Sequence, residues 1–315
     1  MQFPGLAKPP VGIVFDSAME RIDDVLALAM LHGFEGKDQA RIAAICVSSG
    51  DLRAAQFCDA VGRFYASATT GPAAMFMHFM PIGLATVNGG ANAAPESSML
   101  SKPVSATGIK SINDTADSAT LIRNVLMAQY DQNAAVVLSG PATDLARLID
   151  TYGAKEWITR KVRLLCVAET GIQADAAAAR KVFAEWPTPI VTVGREIGEA
   201  LPFPGDSIEK DFAYSSDHPI ADAYRAYKPM PYDASSCAMA AMLYAVHPND
   251  SYFKLSGSGN QRALVLDPEQ KERIIRTYTE MASAKPVPRK PRRPPDEKDK
   301  DKDKKEEDKK KEPPK

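Results

Sequence analysis

No stretch of the 315 residues approaches 18 uninterrupted apolar positions, so nothing in the chain has the length and hydropathy of a bilayer-spanning helix. The opening Met1–Pro10 lacks the basic and apolar regions of a secretory signal, and the expected compartment is cytoplasmic. Cysteine is scarce: Cys46, Cys58, Cys166 and Cys237 lie far apart with no C-x-x-C pair, which excludes a zinc knuckle or a disulfide scaffold and leaves reduced, buried thiols as the expectation. The four histidines, His32, His78, His218 and His247, show neither H-x-x-x-H nor H-E-x-x-H spacing. G-x-S-x-G, G-x-x-x-x-G-K-[ST] and G-x-G-x-x-G are also absent, which removes the commonest serine-hydrolase, P-loop and dinucleotide-binding readings.

Charge is nearly balanced, with 39 Lys and Arg against 40 Asp and Glu, but it is unevenly placed. From Lys285 to Lys315 there are 14 basic and 9 acidic residues, which leaves 25 basic and 31 acidic in the rest. An acidic body lacks the clustered basic footprint that phosphate backbones require, so no nucleic-acid partner is expected. Residues 285–315 contain no Leu, Ile, Phe, Tyr or Trp. Such a segment cannot bury enough apolar surface to offset its chain entropy, and it is expected to be a disordered tail following one domain at 1–284.

Within that domain, short β-branched apolar runs alternate with apolar residues at helical spacing. Val11–Phe15, Arg41–Val47, Ala134–Leu138, Val162–Val167 and Pro189–Val193 read as strands. Asp23–Gly33, Leu52–Tyr65, Ala116–Gln129, Ala142–Tyr152 and Asp175–Trp186 read as helices between or after them. Near-continuous apolar strands are covered on both faces, and repeated βα units give a mainly parallel, doubly wound α/β sheet. A helix at Ala234–His247, a hairpin of Tyr252–Leu255 with Ala263–Leu266 and a final helix from Pro268 complete the pattern. Gly71–Asn113, rich in Gly, Pro, Ser and Asn, is too long for a passive connection and is a candidate active-site loop. Met75–Met80 within it reads as core or lid packing.

In such sheets ligands bind beyond the carboxyl ends of the strands. The first strand–helix junction reads V-F-D-S-A-M-E-R-I-D-D-V-L-A-L, with Asp16 ending the strand and Asp23 and Asp24 opening the helix. One aspartate is explained as a helix cap, worth about 1 kcal/mol. Three gathered carboxylates repel one another unless a cation or a hydroxyl-rich ligand compensates them, so a metal or polyol site stands beside a structural acidic turn.

This junction resembles the D-x-D-P-G-x-D-D signature of the inosine-uridine preferring nucleoside hydrolases. The resemblance continues in order through A-A-I-C-V-S-S-G-D ending at Asp51, L-S-G-P-A-T-D-L-A around Thr143, the segment opened by Glu169, and P-Y-D-A-S-S-C-A-M-A-A from Pro231. It implies a single α/β domain of the nucleoside hydrolase type that hydrolyses the N-glycosidic bond of a ribonucleoside or related N-riboside with a metal-bound water. A non-catalytic relative that binds a ribosyl or polyol ligand, or a protein partner, is the alternative. The resemblance further implies Ca²⁺ held by Asp24, Asp233 and the Thr143 carbonyl. Asp23 would grip a ribose hydroxyl and serve with Asp16 as a catalytic candidate, with Asp51, Glu169 and Tyr232 beside the substrate. A homo-oligomer is implied as well.

The departures bear on the chemistry. The family's metal-binding general base falls at Ala18, its motif is one residue longer here, with Met19-Glu20-Arg21 in place of Pro-Gly-x, its sugar-binding asparagine is Gly171, and Tyr232 replaces a histidine. Loss of a positioned general base typically costs roughly 10²–10⁴ in rate.

Overall fold

The computed structural model describes residues 9–70, 80–86, 98–100 and 107–288. Nine strands form one sheet in the order β4-β3-β2-β1-β5-β6-β7-β9-β8. These are β1 (Val11–Ser17), β2 (Ala40–Val47), β3 (Ile82–Leu84), β4 (Ala116–Asp117), β5 (Ala134–Leu138), β6 (Val162–Ala168), β7 (Ile190–Val193), β8 (Phe253–Ser258) and β9 (Gln261–Leu266). All neighbours run parallel except β8, which closes one edge as the antiparallel arm of a hairpin with β9. The central strands β1 and β5 are buried along their whole length, as their unbroken apolar runs demand.

Among the described residues, the helices of six or more residues are α1 (Ile22–Gly36), α2 (Leu52–Ala66), α3 (Ser118–Met127), α4 (Thr143–Ile149), α5 (Ala154–Lys161), α6 (Ala176–Glu185), α7 (Arg195–Ala200), α8 (Gly205–Lys210), α9 (Pro219–Tyr227), α10 (Cys237–Val246) and α11 (Lys271–Ala282). Strand alternation divides the core in two. Ile13 and Phe15 face α1, α2, α9, α10 and α11, whereas Val14 faces α3, α4, α5 and α6 on the other side. Helix α10 is buried at every position, which explains its nearly uninterrupted apolar sequence. All four cysteines are free and buried. None of the helices, among the described residues, is long and apolar enough to cross a membrane.

Each strand and helix expected from the sequence is present, with ends shifted by a few residues. The edge strands β3 and β4, with three and two residues, and helices α5, α7 and α8 extend the expected pattern. Most of Gly71–Asn113, residues 75–79 of the Met-rich run and the charged tail beyond Pro288 lie outside the described residues.

Candidate ligand pocket at the carboxyl ends of the strands

Helix α1 begins directly after the Ala18–Arg21 turn that leaves β1. Met19 takes a left-handed conformation there, with φ of 54°, while its side chain is fully buried. This turn sends Glu20 to the surface and Arg21 inward. The Arg21 guanidinium then joins four groups. Its Nε donates to Asp23 Oδ1 at 3.1 Å, and Nη2 donates to Asp24 Oδ1 at 3.0 Å, to Ser139 Oγ at 3.0 Å and to the Ser139 carbonyl at 3.3 Å. Ser139 follows β5, so a single side chain ties the ends of two adjacent central strands together.

Both α1 carboxylates are deeply engaged. Asp24 is fully buried; its Oδ1 also accepts a short hydrogen bond from the Ser139 hydroxyl, and Oδ2 accepts the Arg21 backbone N–H at 3.3 Å. Burial pushes the Asp24 carboxyl up to about 7, with Arg21 opposing the shift and Asp23 adding to it. Burial also works against the charge on Arg21, but Asp24 and Asp23 outweigh it and hold the guanidinium protonated. Asp23 Oδ2 accepts the Ala238 N–H at 3.0 Å and so anchors the start of α10.

Around this cluster lies a pocket of about 310 Å³, lined among others by Arg21, Asp23, Thr170, Arg195, Tyr232 and Asp233. The Thr170 hydroxyl is buried with no hydrogen-bond partner, and Arg21 Nη1 donates to no protein atom among the described residues. Tyr232 stacks on Tyr224 at 4.4 Å between centroids and donates its hydroxyl to the Tyr224 carbonyl, so it offers a ring rather than a proton. Asp233 Oδ1 accepts the Gly205 N–H at 2.8 Å. Gly171 is a packing requirement: a Cβ there would sit 2.3 Å from the Ser139 carbonyl oxygen.

The structure therefore gathers Asp23, Asp24, Tyr232 and Asp233 from the expected set. It distributes the others. Asp16 shares the Val14 side of β1 and points away from α1. Asp51 caps α2, accepting the Arg53 N–H at 2.9 Å and pairing with its guanidinium at 3.1 Å. Thr143 opens α4 and donates to Asp175 at 2.7 Å, and Glu169 is exposed. Arg21 and Thr170, which line the pocket, and Ser139, which holds Arg21 from behind, were not singled out by the sequence reading. Only the pairing of Arg21 with Asp24 had a visible signal, since an i,i+3 spacing matches local ion pairing.

Calcium favours several oxygen ligands converging on one point. Here Ala18 supplies none, both Asp24 oxygens are occupied by Arg21 and Ser139, and Asp233 is bonded to the start of α8. Among the described residues no group of three or more His, Cys, Asp and Glu is arranged to hold a metal. The donors as placed do not fit the implied Ca²⁺.

Solved structures share this architecture. A plant nucleoside hydrolase matches with a TM-score of 0.61 and 16% identity over 88% of this chain and 100% of that one. A purine-preferring ribonucleoside hydrolase from Gardnerella vaginalis matches at 0.64 and 12%, over 86% and 98%. A type III effector protein solved with adenosine diphosphate ribose matches at 0.65 and 12%, over 89% and 96%. No family model matches the sequence, and no curated protein matches it significantly. The chain has the nucleoside hydrolase fold.

Proposed function

We propose that this protein binds the ribosyl or a similar polyol part of a small ligand, a nucleoside or related riboside, in the Arg21–Tyr232 pocket and leaves its N-glycosidic bond intact. The observation that carries the reading is the Arg21 guanidinium, bonded to both Asp23 and Asp24 where the resemblance implies Ca²⁺. A fixed guanidinium supplies positive charge and donors but cannot lower the pKa of a bound water as a metal does. With Ala18 in the position of the general base, hydrolysis lacks both its water activator and its proton acceptor.

The pocket keeps what polyol binding needs. Arg21 Nη1 is available as a donor, the buried Thr170 hydroxyl lies in the pocket wall, Asp23 and Asp233 retain acceptor capacity, and the Tyr232 ring forms an apolar wall. The effector neighbour solved with adenosine diphosphate ribose is consistent with a ribosylated ligand on this fold. The test is calorimetric titration of ribose, inosine and adenosine diphosphate ribose, with base release followed at high protein concentration. Binding without base release is expected. Nucleoside turnover that depends on calcium and disappears in Asp24→Asn would overturn the reading.

A further inference from the structure

A second buried polar cluster lies behind the sheet, on the face opposite the pocket. Asp16 ends β1 and is fully buried, and neither of its carboxylate oxygens has a hydrogen-bond partner. Its strand neighbour is Cys46, so both project toward α3 and α4. Asp144, in the first turn of α4, is also fully buried, and its Oδ2 is unpartnered. Two hydroxyls complete the group. Ser48 Oγ lies beside Asp16, and Ser118 Oγ lies beside Asp144 and Cys46, close enough to favour the ionised form of each neighbour; both are buried, and neither makes a well-formed hydrogen bond. Close backbone approaches frame them: a Cβ on Gly140 would sit 2.3 Å from Ser48 Oγ, and one on Gly83 would sit 3.0 Å from Ser118 Oγ.

The protein's own cations do not settle this charge. Arg147 reaches only Asp144 Oδ1, at 3.4 Å, and spends its better contact on Asp117 at 3.0 Å. No basic side chain bonds to Asp16. Five buried oxygens from four side chains thus lack a well-formed hydrogen bond in one cluster, against the general rule that buried polar atoms are satisfied. Two carboxylates and two hydroxyls form a hard, all-oxygen donor set that carries two negative charges once a cation displaces the carboxyl protons, the set that Ca²⁺ and Mg²⁺ take. Cys46 is no competing ligand, because burial and the neighbouring carboxylates keep its thiol protonated.

We propose that Asp16, Ser48, Ser118 and Asp144 form a binding site for one divalent cation, Ca²⁺ or Mg²⁺, that pins the ends of β1 and β2 to the starts of α3 and α4. The site is structural and separate from the ligand pocket, and it does not depend on what that pocket binds. Without a cation the cluster is electrostatically frustrated: burial and the charge of Asp144 push the Asp16 carboxyl well up, and burial raises Asp144 to about 6.

The test is metal analysis by plasma mass spectrometry after dialysis against Ca²⁺ or Mg²⁺, with thermal unfolding measured with and without chelator. It is run on wild type, Asp16→Asn, Asp144→Asn, Ser118→Ala and Asp24→Asn, each checked for native circular dichroism. One equivalent is expected in wild type and Asp24→Asn, weakened binding in Ser118→Ala, and none in the two cluster aspartate variants. The midpoint should rise by several degrees with cation only where metal is bound. A metal-free wild type, with Asp144→Asn unfolding at higher temperature than it, would overturn the site in favour of a shared proton. Metal lost in Asp24→Asn but kept in Asp16→Asn would overturn it in favour of the pocket.

Discussion

Replacing Arg21 by alanine removes four hydrogen bonds at once and leaves Asp24, which is fully buried, without its counter-charge. Breaking a buried ion pair from one side costs about 3–5 kcal/mol, because the remaining charge is uncompensated. Two features place this pair at the lower end. The Arg21 side chain is 25% exposed, so part of its field is screened. Asp24 also has an escape: its carboxyl already lies near 7, so in the variant it takes up a proton instead of staying charged. The expected loss is about 3 kcal/mol near neutral pH, or roughly 6–12 °C in midpoint for a domain of this size. The loss should be smaller in mild acid, where Asp24 is neutral in both proteins. Arg21→Lys retains the charge but not the fork that reaches Asp23, Asp24 and Ser139 together, so it should fall between the two. Chemical denaturation across pH 5.5–8.5 is the assay. A loss below about 1 kcal/mol at every pH is what an ordinary surface pair would give, and it would refute the role of Arg21 as an internal cation.

Three further outcomes follow from the same geometry. His218 is fully buried, its Nδ1 accepts the Ile220 N–H, and Nε2 lies 2.8 Å from the Tyr214 hydroxyl; burial depresses its pKa to about 4. The unfolded chain therefore binds a proton more readily than the native one between pH 6.5 and 4, and stability present above 6.5 should fall by about 3 kcal/mol across that window. His218→Phe should flatten this part of the profile. Gly171→Ala drives a methyl into the Ser139 carbonyl and should cost about 1–3 kcal/mol in denaturant unfolding while displacing the Arg21 anchor. Thr170→Val keeps the shape but removes an unpartnered hydroxyl. It should leave the midpoint unchanged or slightly raised while weakening ribose binding, as read by calorimetry; unchanged affinity would remove Thr170 from the site.

The layout of the fold was legible because buried parallel strands write themselves as β-branched runs, and β1, β2, β5, β6 and β7 all do so. The three-residue β3 and two-residue β4 carry no periodic signal, since two or three positions cannot establish a pattern. Helices α7 and α8, six residues each, end before an amphipathic stripe completes two turns. Within the site, Asp23, Asp24 and Asp233 could be found because acidic residues at strand ends are conspicuous. Asp16 could have been separated from them by strand alternation, which sets it with Val14 rather than Phe15. Proximity in sequence suggested a single cluster, whereas the pleat makes two, one on each face. The inward turn of Arg21 was not legible, because it depends on a left-handed Met19 that neither local propensity nor the motif anticipates.

The central claim, a metal-independent ribosyl pocket built around Arg21, is tested most directly by calorimetric titration of inosine into the folded protein in calcium and again in chelator. The account predicts the same affinity in both, no released base, and loss of binding in Arg21→Ala even under conditions where that variant remains folded. Binding that appears only with calcium, or that ends in hydrolysis, would contradict it.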